Sequence, residues 1–227
     1  MKVDIIAGTR PNFIKIAPIL ENIERSLLVS KKLFKYRIIH TGQHYDRNMS
    51  EFFFKQLNIP KPDFNLNVGS GTQAEQTAKI MSRYENILKK KELPDMCIVV
   101  GDVNSTLACS IVAKRMGVKV AHVEGGLRSG DLTMPEEINR IATDSISDYF
   151  FTTSENASLN LINCSISTDR IFFVGNTMID SLLKYRKNFK EPKVWRDLNL
   201  KKKNYILLTL HRPANVDEKI KLKELIS

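Results

Sequence analysis

The sequence lacks any apolar run near the roughly 18 consecutive residues that mark a membrane-spanning helix. The apolar segment at its start is interrupted at once by Asp4 and by the turn Gly8-Thr-Arg-Pro11, which is not the pattern of a signal peptide. Only three cysteines are present, an odd number without the spacing of zinc ligands or of a disulfide framework. We therefore expect a reduced, cytoplasmic protein with no metal site and no membrane segment.

The chain is basic, with a formal net charge of +10 over 227 residues. The excess lies in short lysine runs at 31–32, 89–91, 201–203 and 219–223, and such runs are usually solvated faces. Neither interleaved aromatic residues nor a helix-turn-helix pattern accompanies them, which argues against nucleic acid as a partner. A basic chain also suits a small polyanionic ligand such as a phosphate.

Strand patterns alternate with helical patterns along most of the chain. This alternation is typical of an α/β domain, in which right-handed crossovers give one parallel sheet with helices on both faces. Gly8, Asp102 and Glu124 should then lie at the same edge of the sheet. The predicted strands cover residues 2–7, 36–41, 95–100, 118–123, 148–152 and 170–174.

The C-terminal part of the chain differs in character. Residues 188–203 are charged, contain a proline and lack periodicity, which indicates a linker. The strand pattern at 205–210 and the helical pattern after it repeat the start of the chain. We therefore predict a first domain at 1–187, a linker at 188–203 and the beginning of a second, similar domain at 204–227.

The stretch at 122–140 is the strongest candidate for a functional site. It reads His122-Val-Glu-Gly-Gly-Leu-Arg-Ser-Gly-Asp-Leu-Thr-Met-Pro-Glu-Glu-Ile-Asn-Arg140, with four carboxylates and three glycines. Glu124 ends a strand of buried character and precedes two glycines, which allow a ligand to approach the backbone closely. Parallel sheets bind ligands at the carboxyl ends of their strands, where Glu124 would lie. An acid buried there is costly to desolvate without a partner. We therefore predict a functional role for Glu124.

The same stretch leads into a helix. Apolar residues recur beyond it at helical spacing, at Ile138, Ile141, Ala142 and Ile146. Thr133 and Glu136 match a capping box, in which each side chain bonds the other residue's backbone N–H. Glu136 is thus either an acid of the site or a cap of this helix.

Two other strand ends carry candidate residues. The turn at 8–11 leads from a strand into a helix, a pattern that forms an anion site from free N–H groups. Arg10 and Lys15 would flank that site; alternatively, Arg10 pairs with a neighbouring carboxylate and Lys15 lies on the surface. Asp102 follows the strand at 95–100 and either lies in the site or caps the next helix.

Seven motifs taken together resemble the non-hydrolysing UDP-N-acetylglucosamine 2-epimerases, and they occur in that family's order. They are Gly8-Thr-Arg-Pro…Lys15, Thr41-Gly-Gln-His44, Gly101-Asp102, His122-Val-Glu-Gly-Gly-Leu-Arg128, Met134-Pro-Glu-Glu-Ile-Asn-Arg140, Gly175-Asn-Thr-Met-Ile-Asp180 and Thr209-Leu-His-Arg212.

The resemblance implies the first half of a GT-B-type fold, in which two Rossmann-like domains enclose the active site. It also implies a homodimeric enzyme that interconverts UDP-N-acetylglucosamine and UDP-N-acetylmannosamine by elimination and re-addition of UDP. The resemblance further implies that neither a metal nor a nicotinamide cofactor takes part, and that the product is a precursor of cell-surface polysaccharide.

The matching positions suggest individual roles for the residues that bind substrate. Arg10 and Lys15 match residues that contact the UDP portion of the substrate. Gln43 and Glu136 match positions associated with an activating second UDP-sugar in bacterial members. Arg128, in the motif of the central loop, is a further candidate for substrate binding.

The remaining matches concern the chemistry. Asp102, Glu124 and Glu136 match the carboxylates implicated in acid–base catalysis. His211 matches a histidine that the second domain contributes to the active site.

Two departures leave the exact substrate open. The chain has Arg-Pro-Ala-Asn-Val-Asp after His211, where bacterial members have His-Arg-Arg-Glu, and its loop at Leu132 is shorter. An epimerase for a related 2-acetamido UDP-sugar is therefore one alternative. A GT-B glycosyltransferase and a truncated, inactive domain are the others, although the intact central loop argues against a transferase. Because little of a second domain is present, we expect no measurable turnover from this chain alone.

Overall fold

The computed structural model describes residues 1–29, 34–42, 47–210 and 213–226, and contacts divide the chain into Met1–Tyr185 and Arg186–Ser227. In the described part of the first unit, seven parallel strands form one sheet in the order β3-β2-β1-β4-β5-β6-β7. The strands are β1 (Lys2–Ala7), β2 (Lys35–His40), β3 (Phe64–Asn65), β4 (Met96–Val100), β5 (Lys119–Val123), β6 (Tyr149–Thr152) and β7 (Ile171–Phe173).

Helices connect successive strands or follow the last of them, and together they cover both faces of the sheet. They are α1 (Arg10–Val29), α2 (Arg47–Gln56), α3 (Gln73–Lys90), α4 (Asn104–Arg115), α5 (Pro135–Ile146), α6 (Glu155–Asn163) and α7 (Thr177–Tyr185). The predicted parallel α/β architecture is confirmed. To the six predicted strands the structure adds β3, a two-residue strand at the edge beside β2.

Two apolar cores lie on opposite faces of the sheet. Alternate residues of a strand point to opposite faces, so Ile5 packs with α1 whereas Ile6 packs with α3 and α4. Strands buried on both faces need apolar side chains at nearly every position, which is the pattern that the sequence shows in β1 and β4.

The second unit contains α8 (Lys193–Asp197), α9 (Pro213–Val216) and α10 (Lys219–Ile226). The predicted strand at 205–210 is wrong, because these residues form no strand and Ile206 and Leu207 are 93% and 83% exposed. A strand is stabilised by its bonds to a neighbour, and the described residues of this unit offer none. The assignment of 204–227 to a second Rossmann-like domain stays a prediction. Within the described ranges no helix is both long and apolar enough to cross a membrane.

A buried ion pair joins β1 to β2. Arg37 donates from Nε and Nη2 to the carboxylate of Asp4 at 2.6 and 2.8 Å, and the hydroxyl of Tyr84 donates to the same carboxylate at 3.0 Å. Asp4 is fully buried and lies opposite Arg37 in the strand register. Three donors thus satisfy an acid that would otherwise be costly to desolvate.

We expect Arg37→Met to lower the free energy of unfolding by about 3–5 kcal/mol, because it leaves the Asp4 carboxylate buried without its counter-charge. The control is Arg25→Gln, which removes an exposed ion pair with Glu21 and should change stability by less than about 1 kcal/mol. Urea unfolding of both variants measures the difference. Equal, small losses would show that the buried pair contributes nothing beyond a surface pair.

Candidate active site

The carboxyl ends of β1, β4 and β5 bring three predicted site residues to one edge of the sheet, as expected. Val100 and Val123 pair directly, so Asp102 and Glu124 follow adjacent strands in parallel register. Lys15 reaches the same place from the second turn of α1, where its ammonium forms an ion pair with Glu124. Lys15 is buried, so its alternative interpretation as a surface lysine is wrong.

Glu124 occupies an unusual backbone conformation. Its φ is +73°, in the left-handed region that non-glycine residues avoid at a cost of about 1–3 kcal/mol. The backbone N–H donates to the carbonyl of Phe151 at 2.8 Å, and the side chain is 13% exposed. Gly101 leaves room for the ion pair, since a Cβ there would lie 3.1 Å from Lys15 Nζ and 3.2 Å from Glu124 Oε2.

Asp102 is held by α5 rather than by its own helix. Its Oδ2 accepts from Arg140 Nη1 at 2.7 Å, and its backbone carbonyl accepts from Asn139 Nδ2 at 2.8 Å. The residue before α4 is Val103, and no side chain caps that helix. The interpretation of Asp102 as a helix cap is therefore wrong, and its carboxylate lies beside the site.

The capping box expected at Thr133 and Glu136 is also wrong. Met134 precedes α5 without a side-chain cap, and the hydroxyl and N–H of Thr133 donate to Asp131 Oδ1 at 2.6 and 2.9 Å. Both hydrogen-bond donors of Thr133 thus bond to the carboxylate of Asp131, which is nearer in sequence than Glu136. Glu136 is exposed on the first turn of α5 and is not used as a cap.

Glu137, which the sequence patterns did not single out, anchors the central loop. Its carboxylate accepts from the N–H groups of Ser129 and Gly130 at 3.0 and 3.1 Å and from Arg140 Nε at 2.9 Å. Burial raises the pKa of Glu137, but these hydrogen bonds outweigh burial and hold the pKa below its ordinary value of 4.5. Glu137 therefore positions Arg140, which in turn holds Asp102.

A second buried group includes His122, which lies on β5 two residues before Glu124. The ring of His122 is fully buried, with Nδ1 2.7 Å from Asp144 Oδ1 and Nε2 2.8 Å from the carbonyl of Gly101. Asp144 Oδ2 accepts from Gly126 N at 3.1 Å and from Arg128 Nη1 at 2.6 Å. Burial raises the pKa of Asp144, but the bonds from His122 and Arg128 dominate and lower it.

The buried face of α5 is polar, although its apolar residues recur at helical spacing. Ile138 and Ile141 are 52% and 39% exposed, whereas Glu137 and Asp144 are 1% and 3% exposed. A usable signal was present in the sequence, because Glu137, Arg140 and Asp144 recur at spacings of three and four residues on one helix face.

The central loop also packs closely on α6. Gly126 has a φ of +81°, and a Cβ at this position would lie 2.2 Å from the carbonyl oxygen of Ala157. The carbonyl of Gly126 accepts from Asn160 Nδ2 at 2.9 Å. Glycine is therefore required at 126 both by the backbone conformation and by this contact.

Not every predicted site residue joins this cluster. Arg10 is exposed at the first position of α1, with its guanidinium carbon 5.9 Å from the centre of the Phe53 ring. Gln43, His44 and His211 lie outside the described residues. Among the residues that the structure covers, no group of three His, Cys, Asp or Glu side chains could hold a metal ion.

These features define a parallel α/β domain. Its site lies at the carboxyl ends of the strands and contains several acidic residues, one of which forms an ion pair with a lysine. The family model described as UDP-N-acetylglucosamine 2-epimerase matches residues 27–227. The UDP-N-acetylglucosamine 2-epimerase of Methanocaldococcus jannaschii is 45% identical over 229 residues, which cover 100% of this chain and 61% of that protein. The chain belongs to the UDP-N-acetylglucosamine 2-epimerase family.

A solved structure and a second relative are also similar over the whole of this chain. The crystal structure of the M. jannaschii UDP-GlcNAc 2-epimerase in complex with UDP-GlcNAc and UDP superposes with a TM-score of 0.85 at 47% identity, covering 100% of this chain and 61% of that chain. The UDP-2,3-diacetamido-2,3-dideoxy-D-glucuronate 2-epimerase of Pseudomonas aeruginosa is 39% identical, covering 100% of this chain and 62% of that protein. The chain thus spans about three fifths of the length of these relatives.

We expect Gly126→Ala to destabilise the domain far more than Gly130→Ala. Both glycines have positive φ, so both substitutions introduce backbone strain of about 1 kcal/mol. A Cβ at 130 meets nothing within 4 Å, whereas one at 126 collides with the Ala157 carbonyl. Thermal unfolding of the two variants measures the difference, and equal losses would show that the loop can move off α6 without cost.

The contribution of Glu137 to the stability of the domain should depend on pH in the acid range. Its folded-state pKa is depressed, so its contribution is present above the unfolded value of 4.5 and is lost as the pH falls through the folded pKa. We expect Glu137→Gln to be less stable at neutral pH and to lose less stability on acidification. Unfolding measured from pH 7 to pH 3 tests this, with the exposed neighbour substitution Glu136→Gln as control. Parallel curves for wild type and Glu137→Gln would contradict the assignment.

Proposed function

We propose that this chain provides the acid–base part of a UDP-N-acetylglucosamine 2-epimerase, which interconverts UDP-N-acetylglucosamine and UDP-N-acetylmannosamine by elimination and re-addition of UDP. The observation that carries the proposal is the Lys15–Glu124 ion pair, on the loop next to the one that carries Asp102. Its support from relatives is that the M. jannaschii protein, similar over the whole of this chain, was solved with UDP-GlcNAc and UDP bound.

The reaction makes specific demands on the site. A base removes the proton from carbon 2 of the sugar, the electron pair forms a double bond to carbon 1, and the bond from carbon 1 to the UDP oxygen breaks. UDP then adds back to carbon 1 while a proton is delivered to the other face of carbon 2. Two carboxylates on adjacent loops, Glu124 and Asp102, suit the two proton transfers, each of which contributes typically about 10²–10⁴-fold to the rate.

Cations at the same edge suit the leaving group. The ammonium of Lys15, in contact with Glu124 in this structure, would stabilise negative charge growing on the departing diphosphate, and exposed Arg10 would assist. Glu136 and His211 complete the proposed catalytic set, with His211 contributed by the second domain.

Gln43 and Arg128 complete the proposed contacts with UDP-sugar. Arg128 Nη1 donates to Asp144 and to the carbonyl of Leu127 at 2.6 and 2.8 Å, so a substrate contact would use the rest of its guanidinium. Family membership also supports a cytoplasmic homodimer that supplies precursors of cell-surface polysaccharide.

A related 2-acetamido UDP-sugar is the second candidate substrate. It is favoured by the P. aeruginosa relative, whose name specifies a diacetamido sugar acid and which is similar over this whole chain. The acid–base chemistry at carbon 2 is the same for both substrates. Assay of both UDP-sugars separates the two candidates.

In heavy water we expect the product to carry deuterium on carbon 2, because the abstracted proton exchanges with solvent. Glu124→Gln and Asp102→Asn should each lower turnover by about 10²-fold or more, since each removes a group that transfers a proton. The measurements are mass spectrometry of the product and kcat. Glu155→Gln, an exposed acid on α6, is the control and should leave kcat unchanged.

The assay uses two forms of the protein, because the chain spans only part of its relatives. One is the chain alone, for which we expect no measurable rate. The other is the chain joined to the C-terminal part of the M. jannaschii relative. A product of the joined protein that retains its original hydrogen on carbon 2 would rule out elimination.

A further inference from the structure

The buried ring of His122 lies between the two loops that carry Asp102 and Glu124, yet no step of the proposed reaction uses it. We propose that His122 is a positioning residue, which donates a hydrogen bond from each ring nitrogen and thereby fixes the separation of these loops. This inference rests on the proposed epimerase activity, and it assigns a role to a side chain that does not touch the substrate.

The first bond acts on the loop of Asp102. His122 Nε2 lies 2.8 Å from the carbonyl oxygen of Gly101, and that carbonyl belongs to the peptide group that joins Gly101 to Asp102. Gly101 has a φ of +71°, so the backbone direction at this point is set by a residue with wide conformational freedom. A donor fixed in the core removes that freedom and orients the peptide that leads into Asp102.

The second bond acts on the loop that follows Glu124. His122 Nδ1 lies 2.7 Å from Asp144 Oδ1, and the other oxygen of Asp144 accepts from Gly126 N and Arg128. Asp144 thus transmits the position of the ring to the residues just beyond Glu124. The positions of both loops are therefore fixed by hydrogen bonds with one planar ring that is fully buried.

The proposed bridge needs a donor at each ring nitrogen of His122. A neutral imidazole has one N–H, but a carboxylate faces one nitrogen of His122 and a carbonyl faces the other. Both contacts are hydrogen bonds only if each nitrogen carries a proton, or if Asp144 does. Asp144 Oδ2 already accepts from Gly126 N and Arg128 Nη1, as a carboxylate does, so we assign the donor role at both contacts to His122.

The kinetic test uses variants that keep one donor each, made in the chain joined to the C-terminal part of the M. jannaschii relative. An asparagine amide can replace Nδ1 towards Asp144, and a glutamine amide can replace Nε2 towards Gly101. We expect His122→Phe to lower kcat by about 10²-fold with little change in KM, because displacement of catalytic groups by about 1 Å costs that much. His122→Asn and His122→Gln should each lose part of this amount.

The control is Tyr84→Phe, which removes a buried hydrogen bond to Asp4 on β1. It should lower the melting temperature without changing kcat, because it removes a hydrogen bond that only stabilises the fold. If His122→Phe does not fold, the asparagine and glutamine variants decide the question. Unchanged kcat in the folded His122 variants would overturn the positioning role.

A spectroscopic test needs no activity and uses the chain alone. Nitrogen-15 NMR of the histidine rings should show two N–H groups for His122, both slow to exchange with solvent, and Asp144→Asn should alter the Nδ1–H signal. A single N–H on His122 would overturn the two-donor bridge.

The outcomes separate the two levels of the proposal. Absence of epimerisation by the unsubstituted, joined protein would overturn the proposed function, and the positioning role with it, whatever the NMR result. An active joined protein with unchanged kcat in the His122 variants would overturn the positioning role alone.

Discussion

The site depends on the charged groups buried along one face of α5. Glu137 holds the backbone of the central loop, Arg140 holds Asp102, and Asp144 holds His122 together with the N–H of Gly126. Each of these groups would be costly to bury alone, and each is paired. The same helix face therefore fixes the loops after β4 and β5, including Asp102 and the residues that follow Glu124.

The ion pair between Lys15 and Glu124 sits on this framework rather than creating it. Glu124 keeps a left-handed backbone that glycine would adopt more easily, and its side chain is thereby presented to α1. Strain of this kind persists only where the surroundings over-determine the conformation, as the anchored loop on its C-terminal side does here. Glu124, which we propose as a proton-transfer group, thus has a strained backbone that the packing around it maintains.

The sheet and the location of the site could be predicted from the sequence because both follow local rules. Apolar runs give the strands, and parallel strands place their following loops at one edge, so Asp102 and Glu124 were predicted correctly to share it. The role of α5 could not be predicted in the same way. Apolar residues such as Ile138 and Ile141 fit a helix whichever face is buried, and the partners of Glu137 and Asp144 include backbone N–H groups of the preceding loop, which no side-chain pattern reveals. The strand expected at 205–210 failed for a related reason, since a strand pattern does not supply the neighbour that a strand needs.

The Asp4–Arg37 pair has a consequence for how the sheet assembles. Parallel strands are joined by long crossovers, and their pairing can slip by one residue without disturbing a uniformly apolar pattern. A slip of β2 against β1 would turn Arg37 to the opposite face of the sheet, leaving Asp4 buried with the Tyr84 hydroxyl but without its counter-charge. The pair thus favours the native alignment of the two strands, because a misaligned sheet would bury a charge without its counter-charge.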